Sequence, residues 1–183
     1  KNLVHLYDLK NNKILHEWDP DIDEINKLSN FDRSQKNLEI DSNRKRYLFY
    51  HPILLDNGSI ITHSSSPLIK VDRCSNLVWQ IDKRFHHSLN LDFEKNIWSP
   101  ILEIPGKYKN IHNLYHDDGI AKVSLDGKIL FEKSVTEILI ENNLFELISN
   151  VYYGDDPIHL NDIEPVNFSN DYWSKGDIFL SVR

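Results

Sequence analysis

The chain contains no methionine, a single cysteine (Cys74), only six glycines, and no apolar run approaching a membrane span. Each scarcity excludes something. One cysteine forms no intrachain disulfide, and without a C-x-x-C partner Cys74 suggests neither a metal knuckle nor a redox pair. A bilayer-crossing helix needs roughly 18 or more consecutive apolar residues, and none occur here. Basic charge is also in deficit: 21 Lys and Arg stand against 28 Asp and Glu, for a formal charge of −7. The signs are mixed along the chain, so there is no basic patch of the kind a nucleic-acid partner requires. The acidity is read as solubility.

What is present is a recurring phrase, two apolar runs around a polar turn. It occurs as Leu6-Tyr7-Asp8 with Ile14-Leu15-His16-Glu17-Trp18, as Leu68-Ile69-Lys70-Val71-Asp72 with Leu77-Val78-Trp79-Gln80, and as Ile120-Ala121-Lys122-Val123 with Ile129-Leu130-Phe131-Glu132. Each reads as a hairpin with Asp, Asn or Gly at its tip. Repeats roughly 50 to 60 residues apart, each sufficient for a four-stranded sheet, are the pattern of a β-propeller. The expected fold class is therefore all-β, about half of a six-bladed ring, with one or two short peripheral helices. Residues 1–183 are expected to form a partial propeller domain, truncated at both ends, because three to four blade-sized units leave a sheet edge open.

Between the repeats, Asp19-Pro20 is read as an N-cap and first-turn proline for a helix near 20–29. Asn30 to Arg46 reads as a polar loop. Strands are expected at Tyr47–Leu55 and Ser59–His63 around the tight turn Asp56-Asn57-Gly58, then at His87–Phe93 and Asn96–Leu102. Residues 103–117 read as an irregular insertion. Ser134-Val135-Thr136-Glu137 is a capping box, and the apolar face from Ile138 to Ile148 predicts one helix ending at Ser149. His159–Val166 and Ile178–Arg183 read as strands.

Three polar residues share one place in their units, at the start of the strand preceding a turn: His51, His87 and Asn161. A lone histidine at such a position is first read as a satisfied structural group; three at one register point to a common channel mouth. Other candidates fail on chemistry. His112 and His116 have i, i+4 spacing but lack the glutamate of a zinc-protease helix. Asp19-x-Asp21-x-Asp23 has Glu24 where a calcium loop needs glycine, and is read as a helix start. The triplets Asn57-Gly58-Ser59 and Asn167-Phe168-Ser169 match a glycosylation acceptor, but such triplets are common by chance.

The ordered set Leu68-Ile-Lys-Val-Asp, Leu77-Val-Trp, Phe85-His-His-Ser-Leu, Ile158-His-Leu-Asn-Asp-Ile-Glu-Pro-Val and Trp173-Ser-Lys-Gly-Asp-Ile-Phe-Leu-Ser-Val-Arg183 resembles the arylsulfotransferase family, bacterial aryl-sulfate sulfotransferases that do not use the nucleotide donor PAPS. The resemblance implies a six-bladed propeller with its site in the central channel. It implies ping-pong transfer of a sulfuryl group from a phenolic sulfate ester to a phenol through a sulfo-histidine. Carried onto this chain, it assigns catalytic roles to His87, His159 and Arg183, and substrate binding to Asn161 and His86. His87 is favoured over His86 as the channel residue by its register, and His51 enters as a further substrate-binding residue from register alone. No cofactor and no metal are implied, and the partners are a small-molecule aryl sulfate and a phenol. The family is periplasmic, and a homodimer is left open. The family's nucleophilic histidine belongs to a Gln-His-Asp-like motif that is absent from these 183 residues, so the isolated chain is expected to be inactive. A non-catalytic propeller binding a small anion or a protein partner is the competing reading, since this fold hosts unrelated functions. A quinone-dependent dehydrogenase shares only blade-like tryptophans (Trp79, Trp98).

Overall fold

The computed structural model describes residues 3–32, 34, 38–108, 110–149 and 154–183. The chain divides into two units, residues 1–83 and 84–183.

In the first unit, β1 (Val4–Asp8) and β2 (Lys13–Trp18) form an antiparallel hairpin. Helix α1 (Ile22–Leu28) follows, then a single turn α2 (Leu38–Asp41). A four-stranded antiparallel sheet comes next, in sequential order: β3 (Tyr50–Leu54), β4 (Ile60–His63), β5 (Leu68–Val71) and β6 (Leu77–Ile81). The cap of α1 is Asp21, whose side chain accepts from the backbone N–H groups of Asp23 and Glu24. The cap thus lies two residues beyond the expected Asp19, whose backbone N–H donates to Ser75 Oγ. The loop expected over 30–46 lies partly outside the described residues; its described part contains α2, anchored by Leu38, which is 1% exposed.

Burial explains the order. Trp18, Ile22, Ile25, Tyr47, Ile60, Ile69 and Val71 form one apolar core, so the hairpin and α1 cover one face of the sheet. Directional bonds fix the docking: Trp18 Nε1 donates to Gly58 O at 3.1 Å, and a His16 ring nitrogen lies 2.7 Å from Arg73 O.

The second unit repeats the four-stranded sheet with β7 (Asn90–Leu91), β8 (Ile97–Glu103), β9 (Asp117–Val123) and β10 (Ile129–Ser134), again antiparallel and sequential. Helices α3 (Val135–Glu141) and α4 (Glu146–Ser149) follow, then the hairpin of β11 (Asp162–Pro165) and β12 (Ile178–Ser181). Ser134 Oγ accepts from the Glu137 N–H, as a cap should. The single helix expected to Ser149 is broken, however. Asn143 adopts φ +58, the left-handed state that Asn tolerates better than most residues, and the Asn142 N–H closes back on Ile138 and Ile140 carbonyls. Val135, Ile148, Ile120, Ile158, Leu160 and Ile163 form the unit's core.

One five-residue turn joins strands in both sheets. Leu55, Asp72, Asp92 and Ser124 each donate their N–H to the carbonyl four residues on and accept from the N–H three residues on. The fourth position is left-handed each time: Gly58, Ser75, Lys95 and Gly127. Where that residue is not glycine, an aspartate opens the turn and compensates. Asp72 Oδ1 accepts from Cys74 and Asn76, and Asp92 Oδ1 accepts from Glu94 and Asn96. The β11–β12 connection closes similarly, Val166 N–H to Asp177 O and Gly176 N–H to Val166 O, with an insertion between.

Val71 is fully buried within the first unit's core. Val71→Asp places an uncompensated carboxylate there and is expected to cost at least about 3 kcal/mol. Urea unfolding measures this, and a variant within about 1 kcal/mol of the parent, the range of ordinary surface changes, would contradict the packing described.

Candidate functional site

The expected strand from His87 to Phe93 shortens to Asn90–Leu91, and the reason lies in the site. Phe85 pairs with Ile101 and the His86 N–H donates to Pro100 O, but His87 then adopts φ +57 and pairing resumes only at Asn90 opposite Trp98. The same irregularity occurs twice more. His51 has φ +42 inside a register shift between Tyr50 and Ile53, and His159 has φ +47 between the Arg183 N–H bond to Ile158 O and the Asn161 N–H bond to Ser181 O. Left-handed non-glycine residues are uncommon, and bulges re-aim side chains beside functional sites. The residue sharing the backbone state of His51 and His87 is therefore His159, two residues before the expected Asn161.

Within the second unit three imidazoles come together. The His87 ring centroid lies 4.9 Å from that of His86 and 5.4 Å from that of His159, both edge-on. The strands bearing them are tied directly: Asn90 Nδ2 donates to Asp162 Oδ1 and to Ile163 O, each at 2.8 Å. Asn161 Nδ2 donates to His159 O, and Arg183 closes the β12 side of the same pairing with an exposed side chain. His51 belongs to the first unit, on β3.

Two carboxylates support the imidazoles, Asp118 buried and Asp156 partly so, and sequence reasoning missed both. Asp118, 1% exposed at the start of β9, accepts from the Leu160 N–H, and its Oδ1 lies 3.0 Å from His86 Nε2. That contact has the distance of an ion pair without hydrogen-bond alignment. Asp156 Oδ2 lies 2.6 Å from His159 Nδ1 and 3.8 Å from the Nδ1 of buried His116. The His116 N–H donates to Asp155 O, joining the start of β9 to the loop before His159. A signal was available: Leu68-Ile69-Lys70-Val71 aligns with Ile120-Ala121-Lys122-Val123, yet the preceding residues differ, Ser64-Ser65-Ser66 in one copy and His116-Asp117-Asp118 in the other.

Electrostatics separates these groups. Partial desolvation lowers the His87 pKa below 6.5 although the residue is exposed, and His86 and His159 lower it further, against partial opposition from Asp118 and Asp156. His87 therefore favours the neutral imidazole near pH 7. Burial opposes ionisation of Asp156, but hydrogen bonds with His116 and His159 outweigh it and hold its carboxyl far below the usual range. Burial pushes Asp117 up, opposed by bonds from Ser134 and Thr136. Among the described residues, no group of three or more His, Cys, Asp or Glu side chains is arranged to hold a metal ion. No described helix is long and apolar enough to cross a membrane.

The depressed His87 pKa has a consequence for stability. The folded state resists protonating His87, so its contribution is complete above about 6.5, the unfolded value, and is lost as pH falls below it. The depressed Asp156 pKa acts in a separate window, losing stability only as pH falls below 3.8, the ordinary value of the group. Acidification from about pH 7.5 to about pH 5.5, across the ordinary histidine range, should therefore destabilise the parent more than His87→Asn, which tolerates the left-handed backbone. Urea midpoints at both pH values test this, and equal losses in the two proteins would remove the burial argument for His87.

Neither a curated protein nor a solved structure matches the chain. A family model described as arylsulfotransferase (ASST) matches residues 51–183, which include all three left-handed histidines, Asp118, Asp156 and Arg183. The chain therefore belongs to the arylsulfotransferase family, and its chemistry is in general that of a sulfotransferase.

Proposed function

We propose that the protein moves a sulfuryl group from an aryl sulfate to a phenol without a nucleotide donor, in the periplasm, at the mouth of a six-bladed propeller of which this chain forms part. The observation carrying this reading is the packing of His86, His87 and His159 against one another, on bulged strands backed by Asp118 and Asp156. The succession of a hairpin, two sequential four-stranded sheets and a second hairpin supports the propeller.

A sulfuryl group in transfer is planar and anionic, so its site needs donors aimed at three oxygens, as phosphoryl transfer does. Arg183 offers a planar fork for two of them. Asn161 keeps one of its two Nδ2 hydrogens after bonding His159 O, and can donate without altering the charge. In the first half-reaction the ester S–O bond breaks and an N–S bond forms to a histidine outside residues 1–183, while an imidazole proton passes to the departing phenolate. In the second half-reaction neutral His87 is suited to take the acceptor phenol's proton as its oxygen attacks sulfur and the N–S bond breaks, releasing the nucleophilic histidine. The chain by itself thus supplies binding and proton transfer, and lacks the covalent step.

The test uses the complete open reading frame with 4-nitrophenyl sulfate and a phenol acceptor, following nitrophenolate. Acceptor-dependent release should fall at least about 100-fold in His87→Ala, His159→Ala and Arg183→Ala, the range for loss of an acid–base group or an oxyanion donor. Arg183→Lys should lose most of that activity with little change in unfolding midpoint, because lysine lacks the fork. A folded protein releasing no nitrophenolate across a panel of aryl sulfates would favour a propeller that binds anions without turning them over. Equal losses of activity and stability in Arg183→Lys would remove Arg183 from the site.

A further inference from the structure

Asp156 is the acid most closely engaged with a site histidine, and nothing in the transfer chemistry described above uses it. Its Oδ2 sits 2.6 Å from His159 Nδ1, with only about a fifth of its side chain exposed. On its other side stands His116, 5% exposed, with Nδ1 3.8 Å from the same oxygen and Nε2 3.6 Å from Asp155 Oδ2. The charged groups around Asp156 are thus His159 and His116, with Asp155 beyond His116. The loop carrying Asp155 and Asp156 is itself held to β9 through the bond from the His116 N–H to Asp155 O.

An ionised carboxylate only accepts hydrogen bonds, so a ring nitrogen bonded to it must carry the hydrogen. We propose that Asp156 is a positioning residue that fixes His159 with its hydrogen on Nδ1, leaving Nε2 as the nitrogen that meets the sulfate ester, and that His116 holds Asp156 in place. The inference rests on the sulfuryl-transfer reading for what meets Nε2, though not for the tautomer itself. Its logic is that of a carboxylate behind a functional histidine, which sets ring orientation and hydrogen placement. The Asp156 carboxyl, kept ionised down to acid pH by its two histidine partners against the cost of burial, is suited to that task throughout the neutral range. His159 needs such a constraint more than most, because its left-handed backbone gives the ring no regular strand to align it.

Nitrogen NMR of the His159 ring in the full chain, above the pH at which its imidazole is neutral, reads the tautomer directly. The expected parent spectrum has a protonated Nδ1 and an unprotonated Nε2. Asp156→Ala should lose that bias, and kcat/KM for 4-nitrophenyl sulfate in the complete protein should fall about 10- to 100-fold, the usual cost of removing such a partner. Asp156→Asn keeps an acceptor oxygen and should retain the tautomer while recovering part of the activity. A parent His159 with its hydrogen on Nε2, or an Asp156→Ala variant with an unchanged spectrum, overturns the proposal. If Asp156→Ala fails to fold, the parent tautomer alone decides. A protein with the expected tautomer but no activity on any aryl sulfate would retain the positioning role and reject the transfer reading, so the two fail separately.

Discussion

The buried carboxylate of Asp118 is the constraint on which the site depends. At the start of β9, almost wholly removed from water, it faces His86 from one segment and the Leu160 N–H from another. A buried charge is tolerated only where partners compensate it, so its burial and its contacts cannot be separated. Leu160 in turn fixes the peptide next to His159, and the Asn90 side chain binds β11 two residues further on. Asp118 thus gives His86 and the His159 loop a common anchor beside the ties that Asn90 makes to β11. Ser66 occupies the matching place in the preceding repeat.

The three left-handed histidines show how regular sheets give rise to such a site. A flat antiparallel pair would alternate side chains strictly between its faces and hold each at the angle of the pleat. An extra residue breaks that alternation, and His51, His87 and His159 each sit in such a break. A left-handed non-glycine conformation costs of order 1–3 kcal/mol, and persists only where the surroundings over-determine it. The surroundings of His87 and His159 do so, with backbone bonds on both sides of each break and strands tied to one another by Asn90.

The strand pairs were legible because each obeys local rules. Alternating apolar runs around Asp-Asn-Gly or Asp-Gly turns placed β3 to β6, β9 and β10 within a residue or three, and the phrase at Leu6 to Trp18 placed the first hairpin. Turns at Ser75 and Lys95 were harder to read, since their left-handed residue is not glycine and the opening aspartate supplies the compensation. The helix breaks at a left-handed Asn143 and the first helix is capped by Asp21 rather than Asp19, and periodicity records neither. Of the site, the histidines and Arg183 came from motif resemblance, whereas Asp118 and Asp156 did not, because a carboxylate's role is set by what folds against it. His116 was set aside as a failed metal ligand, and its actual partners are carboxylates brought from the loop before His159.

The arrangement also orders the three imidazoles by what stands behind them. His86 has Asp118 at its Nε2 and His159 has Asp156 at its Nδ1, and the His87 ring lies edge-on to both of theirs. Adjacent rings of like potential charge repel when protonated, and partial desolvation together with His86 and His159 holds the central one toward the neutral form. Replacing Asp118 or Asp156 would therefore act on His87 as well, by removing the negative charges that partly offset its depressed pKa. Mutations at the supporting acids and at the central histidine should for that reason be non-additive, as expected for groups within one electrostatic network.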